Sequence, residues 1–165
     1  MSKLFSTYKL GDLTLENRIV IAPMCQYSAV DGVATDWHMM HLGQLAVSGA
    51  GMLIIEATAV SAEGRITPGD LGIYSKDATK AIGKVISAIR KYAPIAVGIQ
   101  LAHAGRKASC MLPWQSGEQI STEAANGWVT YAPSTLPFNP GDEPPVALDS
   151  TGLARVRKNF VKAAL

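Results

Sequence analysis

Three polar clusters, each placed directly after an apolar run, hold the side chains best suited to chemistry. The first is A-P-M-C-Q-Y at residues 22–27, which offers the thiol of Cys25 and the phenol of Tyr27. The second is E-A-T-A-V-S-A-E-G-R-I-T-P-G at residues 56–69, and the third is G-I-Q-L-A-H-A-G-R-K at residues 98–107. Each cluster joins a polar or reactive side chain to a glycine or proline that restricts the backbone. A thiol is a polarisable, weak donor, and an amide at the end of an apolar strand must find hydrogen-bond partners.

Three strand-then-helix units are predicted to position these clusters. Apolar, β-branched runs at residues 18–24, 52–55 and 95–101 indicate strands. After the first strand, a helix is predicted to begin at a Thr35 cap and to end at Gly49. After the second, apolar residues spaced by three and four lie between Asp77 and Pro94, which is typical of an amphipathic helix. A last helix, capped by Asp149 or by the serine after it, carries an apolar stripe over residues 153–164.

The alternation of strands and helices predicts a parallel α/β fold, either a doubly wound sheet or a closed barrel. No G-x-G-x-x-G or Walker-type loop follows a strand, so neither a Rossmann dinucleotide site nor a P-loop is supported. In a barrel, the three clusters would converge on one mouth at the carboxyl ends of the strands. The stretch between Cys110 and Ala147 interrupts the alternation of strands and helices. It is rich in proline, which predicts an irregular excursion. Loops of that length often serve as lids or binding loops.

Composition and charge are those of one globular domain. Of the 165 residues, 48% are hydrophobic and 17% are charged, and no apolar run is long enough to span a bilayer. The net charge of +2 is dispersed without a basic stripe, which argues against nucleic acid as a partner. The N-terminus lacks the apolar core of a secretory signal, and the two cysteines lie far apart. A reducing cytoplasm is therefore the expected location.

Taken together and in order, the three clusters resemble the Old Yellow Enzyme family of FMN-dependent ene-reductases. The cysteine after A-P-M, and the tyrosine two residues later, point to the subclass typified by YqjM and xenobiotic reductase A. The resemblance covers essentially the whole chain, including the proline-rich excursion. It implies a (β/α)8 TIM barrel, of which residues 1–165 supply roughly the first three β/α units and the long excursion after the third strand.

The resemblance also implies roles for individual residues. Cys25 would tune the flavin reduction potential, Tyr27 would hold or polarise the substrate carbonyl, and Ile66 would line the substrate pocket. The implied reaction passes a hydride from NADPH or NADH to FMN, and then to the β-carbon of an activated alkene in an enone-type substrate. The residues implied to hold the FMN are Ala22, Pro23, Met24, Cys25, Ala57 and Gln100.

Simpler interpretations compete with several of these roles. Cys25 could be a small buried hydrophobe, and Tyr27 could be an aromatic side chain packed for stability. We expect His103 to hold the excursion in place. We expect Lys107 to face solvent.

Two further groups have side chains that could form chemical sites. His38 and His41 lie one helical turn apart, a spacing that suits a metal ion. No nearby carboxylate or cysteine completes a site, so no metal is predicted. Glu56 is expected to accept backbone or side-chain hydrogen bonds at the barrel end rather than to act as a general base.

A complete (β/α)8 barrel needs roughly 250 residues, so the remaining, C-terminal barrel part is an expected partner of this chain. In the resembling family, that part carries a histidine pair, a proton-donating tyrosine and the phosphate-binding loops. The completed enzyme is expected to be a homo-oligomer. Two alternatives stay open: an inactive fragment that self-associates, and another FMN barrel of the dihydroorotate dehydrogenase type. The pairing of A-P-M-C-Q-Y with H-A-G-R-K counts against the second.

Overall fold

The computed structural model describes residues 2–165, which contain eight β-strands and three α-helices. The strands are β1 (Tyr8–Leu10), β2 (Leu13–Leu15), β3 (Val20–Ile21), β4 (Met52–Ala59), β5 (Leu71–Gly72), β6 (Ala96–Ala102), β7 (Tyr131–Ala132) and β8 (Val146–Ala147). The helices are α1 (Asp36–Ala46), α2 (Lys76–Tyr92) and α3 (Ser150–Ala164). No helix among residues 2–165 is long and apolar enough to cross a membrane.

The central sheet is parallel, and β4 is its middle strand. Met52 of β4 pairs with Val20 of β3 on one side and with Ala96 of β6 on the other. The short strand β5 pairs with the carboxyl end of β4, where Thr58 lies opposite Leu71. The predicted parallel pairing of three neighbouring strands is confirmed. The carboxyl ends of these strands therefore meet at one end of the sheet, where the three polar clusters follow.

A β-bulge interrupts β4 where the apolar run gives way to the second cluster. Ile55 pairs with Ile99, but the next pair is Ala57 with Gln100, so Glu56 is an extra residue without a partner in β6. A bulge places two consecutive side chains on roughly the same face of the strand. Ile55 and Glu56 are accordingly both buried, whereas Ile54 and Ala57 are half-buried. We call the face of the sheet that points away from α1 and α2 the inner face. The bulge turns Glu56 away from the inner face, and Ala57 lies on that face opposite Gln100.

The core lies between β4 and the helices α1 and α2. The apolar stripe predicted for α2 is confirmed, since its buried residues recur at a spacing of three or four. Ser75 caps the helix, since its hydroxyl oxygen accepts from the amide of Ala78 at 3.1 Å, and Asp77 lies in the first turn. The buried cluster comprises Ala29, Leu42, Ala46, Leu53, Ile55, Leu71, Ile82, Val85, Ile89 and Ala93.

The ends of the other helices agree in part with the sequence pattern. Thr35 caps α1 as predicted, but the helix ends at Ala46, three residues before Gly49. Gly49 instead adopts a left-handed backbone with φ of +86° in the turn before β4. For α3, the predicted Asp149 cap is confirmed, because its Oδ1 accepts from the amide of Gly152 at 2.7 Å.

The first predicted strand was too long, and one hairpin was missed. Only Val20 and Ile21 form β3, because residues 22–27 leave the sheet as an irregular loop and Pro23 has no N–H to donate. The antiparallel hairpin of β1 and β2 turns at Gly11, which has φ of +58°. Its strands are only three residues each, too short for the apolar alternation to stand out.

The proline-rich excursion is irregular, as predicted, apart from the short parallel pair of β7 with β8. Trp128 attaches it to the segment after β4, since its indole N–H donates to the carbonyl oxygen of Glu63 at 3.1 Å. The backbone amide of Trp128 also donates to the hydroxyl of the buried Ser109 at 3.0 Å. The excursion is thus fixed against the carboxyl ends of the strands rather than extended into solvent.

Candidate active site

The residues implied to form a flavin and substrate site lie together at the carboxyl end of the parallel sheet. Three are exposed there, and the others are half-buried, so this end of the sheet presents an open, largely apolar surface. The β4–β6 register sets Ala57 directly opposite Gln100. The exposed residues are Ala22, Met24 and Gln100, and the half-buried ones are Pro23, Cys25, Tyr27, Ala57 and Ile66.

The loop of residues 24–27 is held by hydrogen bonds through Gln26. Its backbone N–H donates to Oε2 of Glu56 at 2.8 Å, and its side-chain amide donates to the carbonyl of Met24 at 2.9 Å. The indole N–H of Trp37, on α1, donates to the Gln26 side-chain oxygen at 3.1 Å. Tyr27 then adopts φ of +51°, a left-handed conformation that is rare for an aromatic residue. Neighbouring elements therefore impose the conformation of this loop.

Glu56 behaves as an acceptor, as expected from its place at the end of an apolar run. Its side chain is 2% exposed, and its Oε1 lies 3.5 Å from Nε2 of the fully buried His38. The sequence did not predict this contact, which arises because the bulge in β4 turns Glu56 toward α1. Within residues 2–165, however, no group of three or more candidate metal ligands is present.

Asp70 is a second buried carboxylate at this site, and the sequence pattern did not single it out. Its Oδ1 accepts from the hydroxyl of Thr67 and its Oδ2 from the amide of Ile66, both at 2.7 Å. These bonds fix the turn that presents Ile66. The available signal was the T-P-G-D turn, in which a threonine and an aspartate three residues apart can bond to each other.

Burial, more than the charges of the two carboxylates, raises the pKa values of the titratable side chains in the loop. Burial, followed by the charges of Asp70 and Glu56, raises the pKa of Cys25 from 9.0 to about 11. Burial also raises the pKa of Tyr27, and the neighbouring Cys25, Asp70 and Glu56 add to that shift. Near neutral pH, both groups therefore keep their protons and can act as hydrogen-bond donors.

A cavity of about 250 Å³ beside the loop is lined by both Tyr27 and Ile66. The excursion supplies the opposite wall, including Met111 and Phe138. Trp114 packs edge-on against the Tyr27 ring, with 5.8 Å between the ring centroids. The excursion thus forms one side of a pocket next to the strand ends, as its predicted role as a binding loop requires.

The remaining polar residues of the third cluster have structural contacts. His103 packs against Gly64 in the segment after β4, where an added Cβ would lie 3.0 Å from the imidazole. Burial lowers its pKa. Arg106 donates to the hydroxyl of Ser134 in the excursion at 3.1 Å. Lys107 is exposed, as predicted, and its ammonium lies 5.8 Å from the centre of the Phe138 ring.

Comparison with known proteins gives consistent results over nearly the whole chain. A sequence model of the NADH:flavin oxidoreductase / NADH oxidase family matches residues 3–164. An NADPH dehydrogenase of Listeria monocytogenes serotype 4a is 43% identical over an alignment that covers 99% of this chain and 44% of that protein. An NADH:flavin oxidoreductase of Gibberella zeae is 38% identical over 99% of this chain and 40% of its own length.

Solved structures agree with the sequence comparisons. Morphinone reductase superposes with a TM-score of 0.77 at 26% identity, over 98% of this chain and 43% of its own. The Old Yellow Enzyme from a Pichia species superposes with a TM-score of 0.80 at 27% identity. The superposition covers 98% of this chain and 42% of that protein. The chain thus spans less than half the length of the relatives that it matches. The predicted fold class, the N-terminal units of a (β/α)8 barrel, is confirmed.

Proposed function

Because the chain belongs to the NADH:flavin oxidoreductase / NADH oxidase family, within which it resembles the Old Yellow Enzymes, we propose that the protein is an FMN-dependent ene-reductase. It would use NADPH or NADH to reduce the activated C=C bond of α,β-unsaturated carbonyl compounds. The observation that carries this proposal is the Ala57–Gln100 pair beside the loop of residues 22–27, at one open end of the parallel sheet.

The residues at this end of the sheet fit a flavin. A flat, tricyclic ring needs a surface of small apolar groups, which Ala22, Pro23 and Ala57 offer, and Met24 adds an exposed thioether that can adapt its shape. The exposed amide of Gln100 has both a donor and an acceptor, so it can bond to a ring edge that carries both kinds of group. When bound, FMN would accept a hydride from the nicotinamide and deliver it to the alkene.

The protonated groups of the loop suit a supporting role. Cys25, with a pKa of about 11, is a neutral thiol that can lie against the flavin without carrying charge. Tyr27 lines the 250 Å³ cavity with Ile66, and its raised pKa keeps the phenol available to donate a hydrogen bond to a substrate carbonyl. The proposal places the substrate in this cavity, between the strand ends and the excursion. A cysteine and a tyrosine in these positions also support membership of the subclass typified by YqjM and xenobiotic reductase A, which we propose for this protein.

We further propose that residues 1–165 are the N-terminal part of one barrel domain, and that the complete domain is needed for turnover. The observation behind this is the coverage of 40–44% of the relatives' length. A barrel closed by the C-terminal part, and assembled as a homo-oligomer, would complete the site. The alternative is an inactive, self-associating fragment.

The test begins with the intact mass and the visible spectrum of the purified protein. For the complete barrel, the proposal expects bound-flavin absorbance, or a change in the spectrum of added FMN on binding. It also expects bleaching of that flavin by NADPH or NADH and reoxidation by 2-cyclohexenone. Gln100→Leu should weaken FMN binding about tenfold, the size of a lost hydrogen bond. Gln44→Leu, the same substitution at an exposed site on α1, is the matched control. A complete barrel that binds no flavin would refute the proposal, and a colourless self-associated species would favour the alternative.

A further inference from the structure

We propose that His38 and Glu56 act as one unit that positions the loop of Cys25, Gln26 and Tyr27. Both residues lie behind the loop, away from the inner face of the sheet, and both are buried. They would act through the loop rather than touch substrate or flavin. Their importance for catalysis rests on the proposed function, whereas their hold on the loop does not.

The hydrogen bonds around His38 determine which ring nitrogen carries the proton. The backbone N–H of Thr35 donates to Nδ1 of His38 at 3.0 Å, and only an unprotonated nitrogen can accept. In the neutral ring, the proton therefore lies on Nε2. That nitrogen is buried and has no hydrogen-bond partner within normal distance among residues 2–165, and Glu56 Oε1 lies 3.5 Å away. Among residues 2–165, the one polar contact of Nε2 is therefore this 3.5 Å approach to Glu56, and we infer that the Nε2–H group faces that carboxylate.

Glu56 uses its second oxygen to hold the loop. Oε2 accepts from the amide of Gln26 at 2.8 Å, a distance typical of a bond to a charged acceptor. The carboxylate therefore joins α1 to the loop, with the histidine on one oxygen and Gln26 on the other. The arrangement depends on the bulge, because a regular strand would turn Glu56 to the opposite face.

The loop needs such a restraint. Tyr27 has φ of +51°, a backbone conformation that contacts with other residues must impose on an aromatic residue. Gln26 is the residue directly before it, so the Glu56 bond fixes the chain at the point where the unusual conformation begins. The other charged group behind the loop is Asp70, but both of its oxygens are already engaged by Thr67 and Ile66.

The first test uses the wild-type protein and its nuclear magnetic resonance spectra without added flavin. We expect the His38 ring to carry its proton on Nε2, and the Gln26 amide to exchange with solvent more slowly than other amides of the loop. A proton on Nδ1, or a Gln26 amide that exchanges as an open loop does, would overturn the proposal even if no variant folds.

The second test compares exchange at Gln26 in Glu56→Gln and in Glu63→Gln. An amide side chain cannot accept from both Gln26 and His38, so we expect exchange at Gln26 to rise about 10- to 100-fold, as for a lost bond to a charged group. Glu63 pairs with Arg155 away from the loop, and its variant should leave Gln26 unchanged. A general loss of stability would instead raise exchange throughout the core. Equal rates at Gln26 in Glu56→Gln and wild type would reject the idea.

The third test asks whether the two residues form one unit. With His38→Asn added, the double variant should show little more exchange at Gln26 than Glu56→Gln alone, whereas two independent contributions would multiply. An FMN titration of the same proteins separates this inference from the proposed function. If wild type binds FMN but amide exchange at Gln26 is unchanged in Glu56→Gln, the positioning role is wrong and the proposed function is unaffected. Faster exchange in a protein that binds no FMN would support the positioning role and defeat the proposed function alone.

Discussion

Gly69→Ala should displace Tyr27, because no room exists for a methyl group at Gly69. An added Cβ would lie 2.5 Å from the carbonyl oxygen of Tyr27, 2.8 Å from its carbonyl carbon and 3.1 Å from a methyl of Leu112. Carbon–oxygen contacts run at about 3.3–3.6 Å, so a shift of about 0.8 Å is needed. Leu112 can rotate, but the backbone of Tyr27 cannot move freely. The amide of Ala29, two residues further on, donates to the carbonyl of Gly69 itself at 2.9 Å.

The expected cost follows from these contacts. Overpacking a well-packed site costs about 1–3 kcal/mol, and replacing glycine returns about 0.4–1 kcal/mol by restricting the unfolded chain. We therefore expect a net loss of about 1–2 kcal/mol in the free energy of unfolding. Gly83→Ala is the matched control, since Gly83 lies inside α2 with nothing within 4 Å of the added Cβ. That substitution should stabilise the protein by about 0.5–1 kcal/mol.

Urea unfolding, followed by circular dichroism, measures both variants against wild type. Tryptophan fluorescence gives a local readout, because Trp114 packs on the Tyr27 ring and should change its environment only in Gly69→Ala. The reasoning would be refuted if Gly69→Ala were as stable as Gly83→Ala with an unchanged fluorescence spectrum.

Two substitutions in the loop give further predictions. In the flavin-loaded enzyme, Tyr27→Phe should slow enone reduction about three- to twelvefold, the size of one neutral hydrogen bond, with little change in flavin reduction by NADPH; equal rates across several enones would leave Tyr27 a packing residue. Because the pKa of Cys25 is raised to about 11, the unfolded chain ionises this thiol first, and the folded state should lose stability as the pH rises from about 9 to about 11. Cys25→Ala should flatten that loss in urea unfolding, and should shift the flavin reduction potential by tens of millivolts, where about 30 mV corresponds to about 1.4 kcal/mol. An unshifted potential would leave Cys25 a packing residue.

Much of the fold follows from features that are local in sequence. The stripe of α2, the Asp149 cap and the three apolar strand runs depend on residues close to one another in the chain, so their pattern predicts them directly. The parallel order then follows from the alternation of strand and helix. The end of β3 and the hairpin of β1 and β2 were not predicted, since each depends on two or three residues and on pairing partners that the pattern does not specify.

The sequence predicts where the proposed site residues lie along the strands, but it does not predict the contacts that hold them. Resemblance supplied Ala57 and Gln100, and the β4–β6 register places them opposite each other. The contact of Glu56 with His38 could not be found from the sequence, because strict alternation along β4 would assign Glu56 to the inner face. The burial of Asp70 could not be predicted either, since an aspartate in a turn is usually solvated and only tertiary contacts bury it here.

The bulge in β4 divides neighbouring positions of the chain between two separate tasks. A random library at position 57 would vary the surface that we propose binds the flavin, whereas a library at position 56 would vary the contact with α1. Deleting Glu56 would bring Ile55 and Ala57 into regular pairing with Ile99 and Gln100, and it would leave every inward residue in its place. Transplanting the loop of residues 22–27 into another barrel would therefore also require this one extra residue in the neighbouring strand.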